Sequence, residues 1–351
     1  KSLNLSLKIV ESHVRTQLIL RDLKMEGTSE RRKEQRLRYQ WPVWFAEDFG
    51  GVLAQGQMVD VSSSGAASPR TGRRSSIGPD GSSTNSTTSA PTYARACVLA
   101  LETSGDAIYT NSSALSANCG LYSNSGSANG MDINGTSTVT STFACVAGNY
   151  DKDASATVSP LPKTGCAAMS DPFTSLSAPS GASSSSCDAD SKKVESNGEL
   201  NPGVYCNGLE IKGGVTVSLK EGVYVIKNGQ FRIGSSAIVT GSNVLIYMSG
   251  SNSTFDWGSS SVVQLKGRTD GAQKGVVFWS ASTNAANHKF GCSNTSYLEG
   301  VVYSPSTGIE IGSSGTVNGT ADWTAWVVKR LQLGSSAGLS IQTKFSSGAT
   351  P

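Results

Sequence analysis

Near the front of the chain, Arg32 and Arg36 are followed by Asp60, Ser62 and Gly65, five residues that together suit an anionic, hydrogen-bonding ligand. Two guanidiniums one helical or turn step apart offer forked donors to phosphates and base edges, and can stack on bases. Asp60 can accept from a ring N–H edge, Ser62 adds a hydroxyl, and Gly65 permits close backbone approach at a turn. "DVSSSGAA" (60–67) thus reads either as a nucleotide-binding turn or as the start of a flexible linker. A second set is carboxylic: Glu210, Asp256, Glu299, Glu310 and Asp322. Glycoside hydrolysis needs two such groups facing across one bond. Glu210, Asp256 and Glu310 hold the same central place in similar segments, where Arg232 and Gln332 stand in others. Such a stripe can bind a cation or a sugar, but is more simply a solvated face, and no catalytic residue is assigned.

The elements that must carry these residues are short strands. "FRIGSSAIV" begins at Phe231, "FDWGSSSVV" at Phe255, "IEIGSSGTV" at Ile309 and "LQLGSSAGL" at Leu331. "LEIKGGVTV" at Leu209, "MDINGTSTV" at Met131, "IYTNSSAL" at Ile108 and "HKFGCSNTS" at His288 are looser copies. From Leu209 onward the steps are 22, 24, 33, 21 and 22 residues. Apolar runs of a second kind, such as "NVLIYM" and "GVVFW", lie between the copies. Period-2 alternation without helical segments predicts an all-β fold. A 22-residue period holding two or three strands fits a parallel β-helix, in which stacked coils share one core. A sandwich of evenly spaced strands is the alternative. In the β-helix, Phe231, Ile233, Val239, Phe255, Trp257, Ile309, Ile311, Leu331 and Leu333 point inward. The long step before His288 should hold a loop near Lys266–Gln273. Tyr and Trp residues left on the outside could stack on sugars.

Seven cysteines fall at 97, 119, 145, 166, 187, 206 and 292. None forms a C-x-x-C pair, and His13 and His288 are the only imidazoles, so a zinc site is not expected. The first six are 22, 26, 21, 21 and 19 residues apart, close to one coil each. Cysteines one coil apart lie within disulfide reach. Cys97–Cys119, Cys145–Cys166 and Cys187–Cys206 form one possible set, leaving Cys292 over, and buried free thiols are the other reading.

Charge separates the front from the rest. Residues 1–75 carry 13 Lys/Arg against 8 Asp/Glu, and the remainder 16 against 18. Only the front has the sign to attract an anion. Residues 1–40 read as a short amphipathic helix with Leu7, Val10, Val14 and Leu18 on one face, leading into the basic run "ERRKEQRLR" (30–38). "QWPVWFAEDF" and "GVLAQGQMVDVSSSG" read as two strands and a turn, and Ser68–Thr92 as disordered linker. No run of 18 apolar residues is present, so no transmembrane segment is expected.

Two resemblances follow. Arg32-x-x-x-Arg36 with Asp60-x-Ser62-x-x-Gly65 resembles the PilZ signature, which implies cyclic di-GMP as ligand of those five residues. It covers about residues 28–67, so residues 1–67 form a partial PilZ-like β-barrel segment with the N-terminal helix. "RACVLALE", "NCGLYSNS", "FACVAGNY", "TGCAAMSDPF" and "NPGVYCNGLEIKGGVTVSLKEGVYVIKNG" resemble the C-terminal part of TadG-type proteins of tight-adherence (Flp) pilus assembly. That implies an exported bacterial envelope protein, non-enzymatic and active in pilus assembly or adhesion, and residues 93–351 are expected to form its right-handed parallel β-helix. Its partners would be pilus-assembly or envelope proteins, with no nucleic acid polymer and no cofactor. The two implied locations differ: cell envelope or surface for the β-helix, cytoplasm for a working PilZ segment. A structural protein with a non-functional PilZ remnant, or a β-helix that binds or cleaves polysaccharide, are the competing readings.

Overall fold

The computed structural model describes residues 96–343, apart from 259, 292–295, 313 and 319–320, and four short strands nearer the front. Those four make two antiparallel hairpins. Trp41–Ala46 pairs with Leu53–Met58, as expected from the sequence. Ile9–Ser12 pairs with Arg15–Leu18, where a helix was expected. The β-branched residues Ile9, Val10 and Thr16 favour extended backbone, and so short a run satisfies a helical and an alternating pattern equally. Residues 68–92 lie outside the described residues.

From Ala96 onward the described chain is all β, and every pairing between named strands is parallel. The strands stack as a solenoid with three faces. Each coil contributes a strand or part-strand to each face, so every inward side chain sits over its counterpart one coil away. On the second face the inward ladder is Leu209, Phe231, Phe255, His288, Ile309 and Leu331. These are the leading residues of the sequence repeat, so the repeat is the coil. All nine residues expected to point inward are buried, none more than 1% exposed. Aromatic rings stack down this core, with Phe231 on Phe255 at 4.9 Å and Trp257 on Phe290 at 4.4 Å.

The small residues of the repeat make the corner between the second and third faces. Ser112, Ser236, Ser260, Ser314 and Ser336 all have φ between 46° and 67°. Gly214, at the same place in its coil, has φ 73°. One left-handed residue turns the strand sharply, and beside Ser260 the Ser261 hydroxyl donates to the Gly258 carbonyl at 2.6 Å. The extra length before His288 is taken up by the loop from Gly267 to Gly275 and a second from Ala281 to Asn287, on either side of Val276–Ser280.

The coils are not stacked in chain order. Seven coils run upward from 189 to 341. In order they are 189–200, 203–219, 222–241, 244–266, 276–299, 300–317 and 324–341. The strand that lies on the seventh comes from the beginning of the solenoid: Trp326 pairs with Val98, Leu331 with Ile108 and Leu339 with Leu115. Coils 96–117, 120–140 and 143–159 then complete the stack. The chain therefore enters the solenoid part-way along its length, winds to one end, returns to the other, and winds back to its entry point.

Candidate functional site

The second face carries three of the five carboxylates singled out from the sequence, Glu210, Asp256 and Glu310. Its central outward position reads, coil by coil, Lys193, Glu210, Arg232, Asp256, Lys289, Glu310, Gln332, Tyr109, Asp132 and Asp151. Over the first six positions the sign alternates without a break. Glu210 accepts from Lys212 Nζ at 2.9 Å and lies 3.8 Å from Arg232. Lys289 Nζ lies 3.6 Å from Glu310, and Asp256 accepts from Gln230 Nε2 at 3.2 Å. The hydrogen bond from Lys212, with Arg232 and Lys193 nearby, holds the Glu210 carboxyl below its usual range despite partial desolvation. A general acid needs a shift the other way. Every neighbouring pair of those carboxylates has a cation between its members. Glu299 and Asp322 stand apart from the ladder. Glu299 pairs with Lys266 at 3.3 Å and accepts from the Asp322 backbone N–H at 3.3 Å. At the far end Asp132 has no cation in line, and burial, with Asp106, Asp151 and Asp153 nearby, raises its carboxyl pKa.

The first face was not anticipated. Its outward ladder is Val204, Val225, Tyr247, Trp279, Tyr303, Val327, Leu99 and Tyr122. All are buried, none more than 8% exposed. The cover is residues 167–186, the segment by which the chain returns from one end of the solenoid to the other. Tyr122 Oη donates to the Ala167 carbonyl at 2.5 Å, and Asn124 exchanges two hydrogen bonds with Met169. Tyr303 Oη donates to Asp171 at 2.7 Å, and Phe173 packs edge-on against the Tyr303 ring at 5.1 Å. Further along, Gln273 donates to the Ser177 carbonyl and Lys227 to that of Ser184. The outside tyrosines and tryptophan of this face are therefore covered by the chain itself and are not open to stack on sugars. The signal was in the sequence: "VLIYM" (244–248) and "VVFW" (276–279) run apolar without alternation, the pattern of strands buried on both sides.

Three disulfides fasten this arrangement. Cys97–Cys119, Cys145–Cys166 and Cys187–Cys206 have Cα separations of 5.8, 6.1 and 5.8 Å. The first joins adjacent coils. The other two hold the start and the end of the return strap. Three disulfides mark an oxidising environment. Cys292 lies outside the described residues, as do Arg32, Arg36, Asp60, Ser62 and Gly65; of that front region the structure shows the hairpin between the two halves of the motif.

His288 is the one described imidazole, and it is core. Its Nδ1 accepts from the Phe255 backbone N–H at 3.1 Å, and its ring meets Phe278 edge-on at 4.9 Å. Nε2 has no partner. Desolvation pushes its pKa down to about 3, so it is neutral at ordinary pH. Among the described residues no group of three or more metal-ligating side chains comes together. An open hollow of about 560 Å³ sits at the first two of the seven coils, 189–200 and 203–219, lined by residues including Lys192, Lys193, Glu195 and Tyr205. Among the described residues no helix is long and apolar enough to cross a membrane.

A family described as a domain of unknown function, DUF7305, matches residues 177–343, the second part of the strap and the seven coils that follow it. No curated protein and no solved structure matches the chain.

Proposed function

We propose that the solenoid is a structural and binding element of the cell envelope or surface, of the kind that supports pilus assembly or adhesion, and not an enzyme. The observation that carries this reading is the placement of the disulfides, each at a coil-to-coil or strap-to-coil junction where it secures the stack. The alternating charges of the second face add to it, since they pair neighbouring coils through Arg232–Glu210 and Lys289–Glu310 and hold the Glu210 carboxyl below its usual range. The test is thiol tagging of protein from acid-quenched native cells. Six of the seven cysteines are expected to resist a mass tag until reduction. Seven tagged without reductant would place the protein in a reducing compartment and overturn the reading.

A second function is proposed for the front segment: binding of cyclic di-GMP by Arg32, Arg36, Asp60, Ser62 and Gly65. It rests on the resemblance of the motif and on the hairpin Trp41–Ala46/Leu53–Met58 standing between its two halves. Calorimetric titration of the full chain with cyclic di-GMP tests it. Micromolar binding that Arg36→Ala abolishes is the expected outcome, and no heat from a folded sample rejects it.

A further inference from the structure

The order of coils along the axis differs from their order along the chain at one seam, between the seventh coil (324–341) and the coil of residues 96–117. The seam is made like every other junction in the stack. Leu331 takes Ile108 on one side in the register in which it takes Ile309 on the other. Backbone bonds cross it, Leu101 N–H to the Val328 carbonyl and Glu102 N–H to that of Lys329, each at 2.8 Å. Arg330 pairs with Asp106, and Asn118 makes three hydrogen bonds with Thr343.

No disulfide among the described residues crosses the seam. Cys97–Cys119 and Cys145–Cys166 lie within residues 96–166, and Cys187–Cys206 within the other part. The 96–166 block is thus internally fastened, and apart from the seam it is tied to the seven-coil block through the strap. The DUF7305 match takes in the seven-coil block and leaves the 96–166 block out, which sets the two apart a second time. In synthesis the block is made first, yet the edge it needs lies more than 220 residues downstream. Until then the strand Ala96–Ala100 has an open edge, and such edges pair with whatever complementary strand is near.

We propose that the seam is an exchange interface between two copies of this chain, in which the 96–166 block of one seats on the seventh coil of the other, and reciprocally. A second copy is the occupant the edge fits, because it offers the same register, the same Arg330–Asp106 pair and the same backbone bonds. The strap has the reach for it. Twenty residues lie between Cys166 and Cys187. Extended, they span up to roughly 70 Å, while the distance along the axis between their anchors is on the order of 40 Å at one strand spacing per coil. The remainder allows the block to seat on a solenoid lying alongside. A two-fold axis parallel to both solenoids closes the pair, so exchange ends at a dimer.

Chain-specific crosslinking tests this on the full-length protein in a Cys292→Ser background. Leu99 and Val327 are register partners across the seam. One chain carries Leu99→Cys, a second carries Val327→Cys, and the two are refolded together at high concentration and oxidised. The expected result is a crosslinked species of two chains in the mixture that neither chain gives alone. A control chain carrying both substitutions shows whether the site crosslinks at all. Crosslinking within the control, with none between chains in the mixture, overturns the proposal. If the control itself fails to crosslink, light scattering of the native chain decides, and a protein monomeric at every concentration overturns it equally.

Discussion

Acid should weaken this solenoid through a single core residue. His288 is buried with one ring nitrogen unpartnered, and its pKa in the folded protein is about 3, against an ordinary 6.5. A histidine whose folded pKa is depressed costs nothing while it is neutral in both states, above about pH 6.5. As pH falls below that, the unfolded chain binds a proton that the folded chain refuses, and stability declines until about pH 3, where the folded state protonates as well. At ~1.36 kcal/mol per pH unit, the loss between pH 7 and pH 5 comes to about 2 kcal/mol. For a unit of this size that is roughly 4–8 °C in melting temperature. The assay is urea unfolding followed by tryptophan fluorescence at pH 7, 6 and 5, since Trp257 and Trp326 are buried in the same core. His288→Leu is the comparison. It leaves the Phe255 N–H without its acceptor and should be less stable at pH 7, by about 1–3 kcal/mol. Its decline from pH 7 to pH 5 should be shallower than the native protein's by about 2 kcal/mol. Equal slopes for the two proteins would refute the reasoning, as would a histidine proton resonance assigned to His288 that titrates near pH 6.5.

Three other outcomes are expected. Reduction should lower the melting temperature substantially, because each disulfide closes a loop of about 20 residues and is worth about 3 kcal/mol in chain entropy; identical melting with and without reductant would show that the bridges do not secure the stack. Tyr303→Phe removes the donor to Asp171 and should cost about 1 kcal/mol, with faster amide exchange confined to the strap around residues 169–177; unchanged exchange there would mean the strap is held by other contacts. Arg232→Glu sets three carboxylates in line with Glu210 and Asp256, so it should destabilise the solenoid at low salt and recover as salt rises, by up to about 1 kcal/mol for directly opposed like charges; a salt-independent loss would point to packing instead.

Much of the solenoid could be read before the structure. The alternation in "FRIGSSAIV" and its relatives sets which side chains point inward, because successive residues of a strand face opposite ways. The step from Leu209 to Phe231 to Phe255 sets the register, and the register held at each coil, including the 33-residue step that ends on His288. Cysteine spacing near one coil permitted the three bridges without choosing them from the 15 pairings that six cysteines allow. The charge ladder was half visible: Glu210, Arg232 and Asp256 share a position in the repeat, and the loose copy at His288 supplies Lys289, which completes the alternation. The helix expected over the first residues was a local pattern too short to decide between periods.

The coil itself was therefore legible in the residues: its length, its inward and outward faces, its corners and the register in which one coil lies on the next. These are nearest-neighbour properties, written in periods of two and about 22 residues. The order of the coils and the fate of the outside of the first face emerged only in the folded molecule. One coil edge presents much the same ladder of N–H and C=O groups as another, so no local pattern says that Leu331 will find Ile108 rather than a strand further along the chain. Nor does the polar stretch 167–186 announce that it will lie across Tyr247, Trp279 and Tyr303. Its place follows from the topology: a chain that winds first to one end of the stack must travel the length of the solenoid to begin again at the other, and the apolar ladder on that face is buried beneath its path.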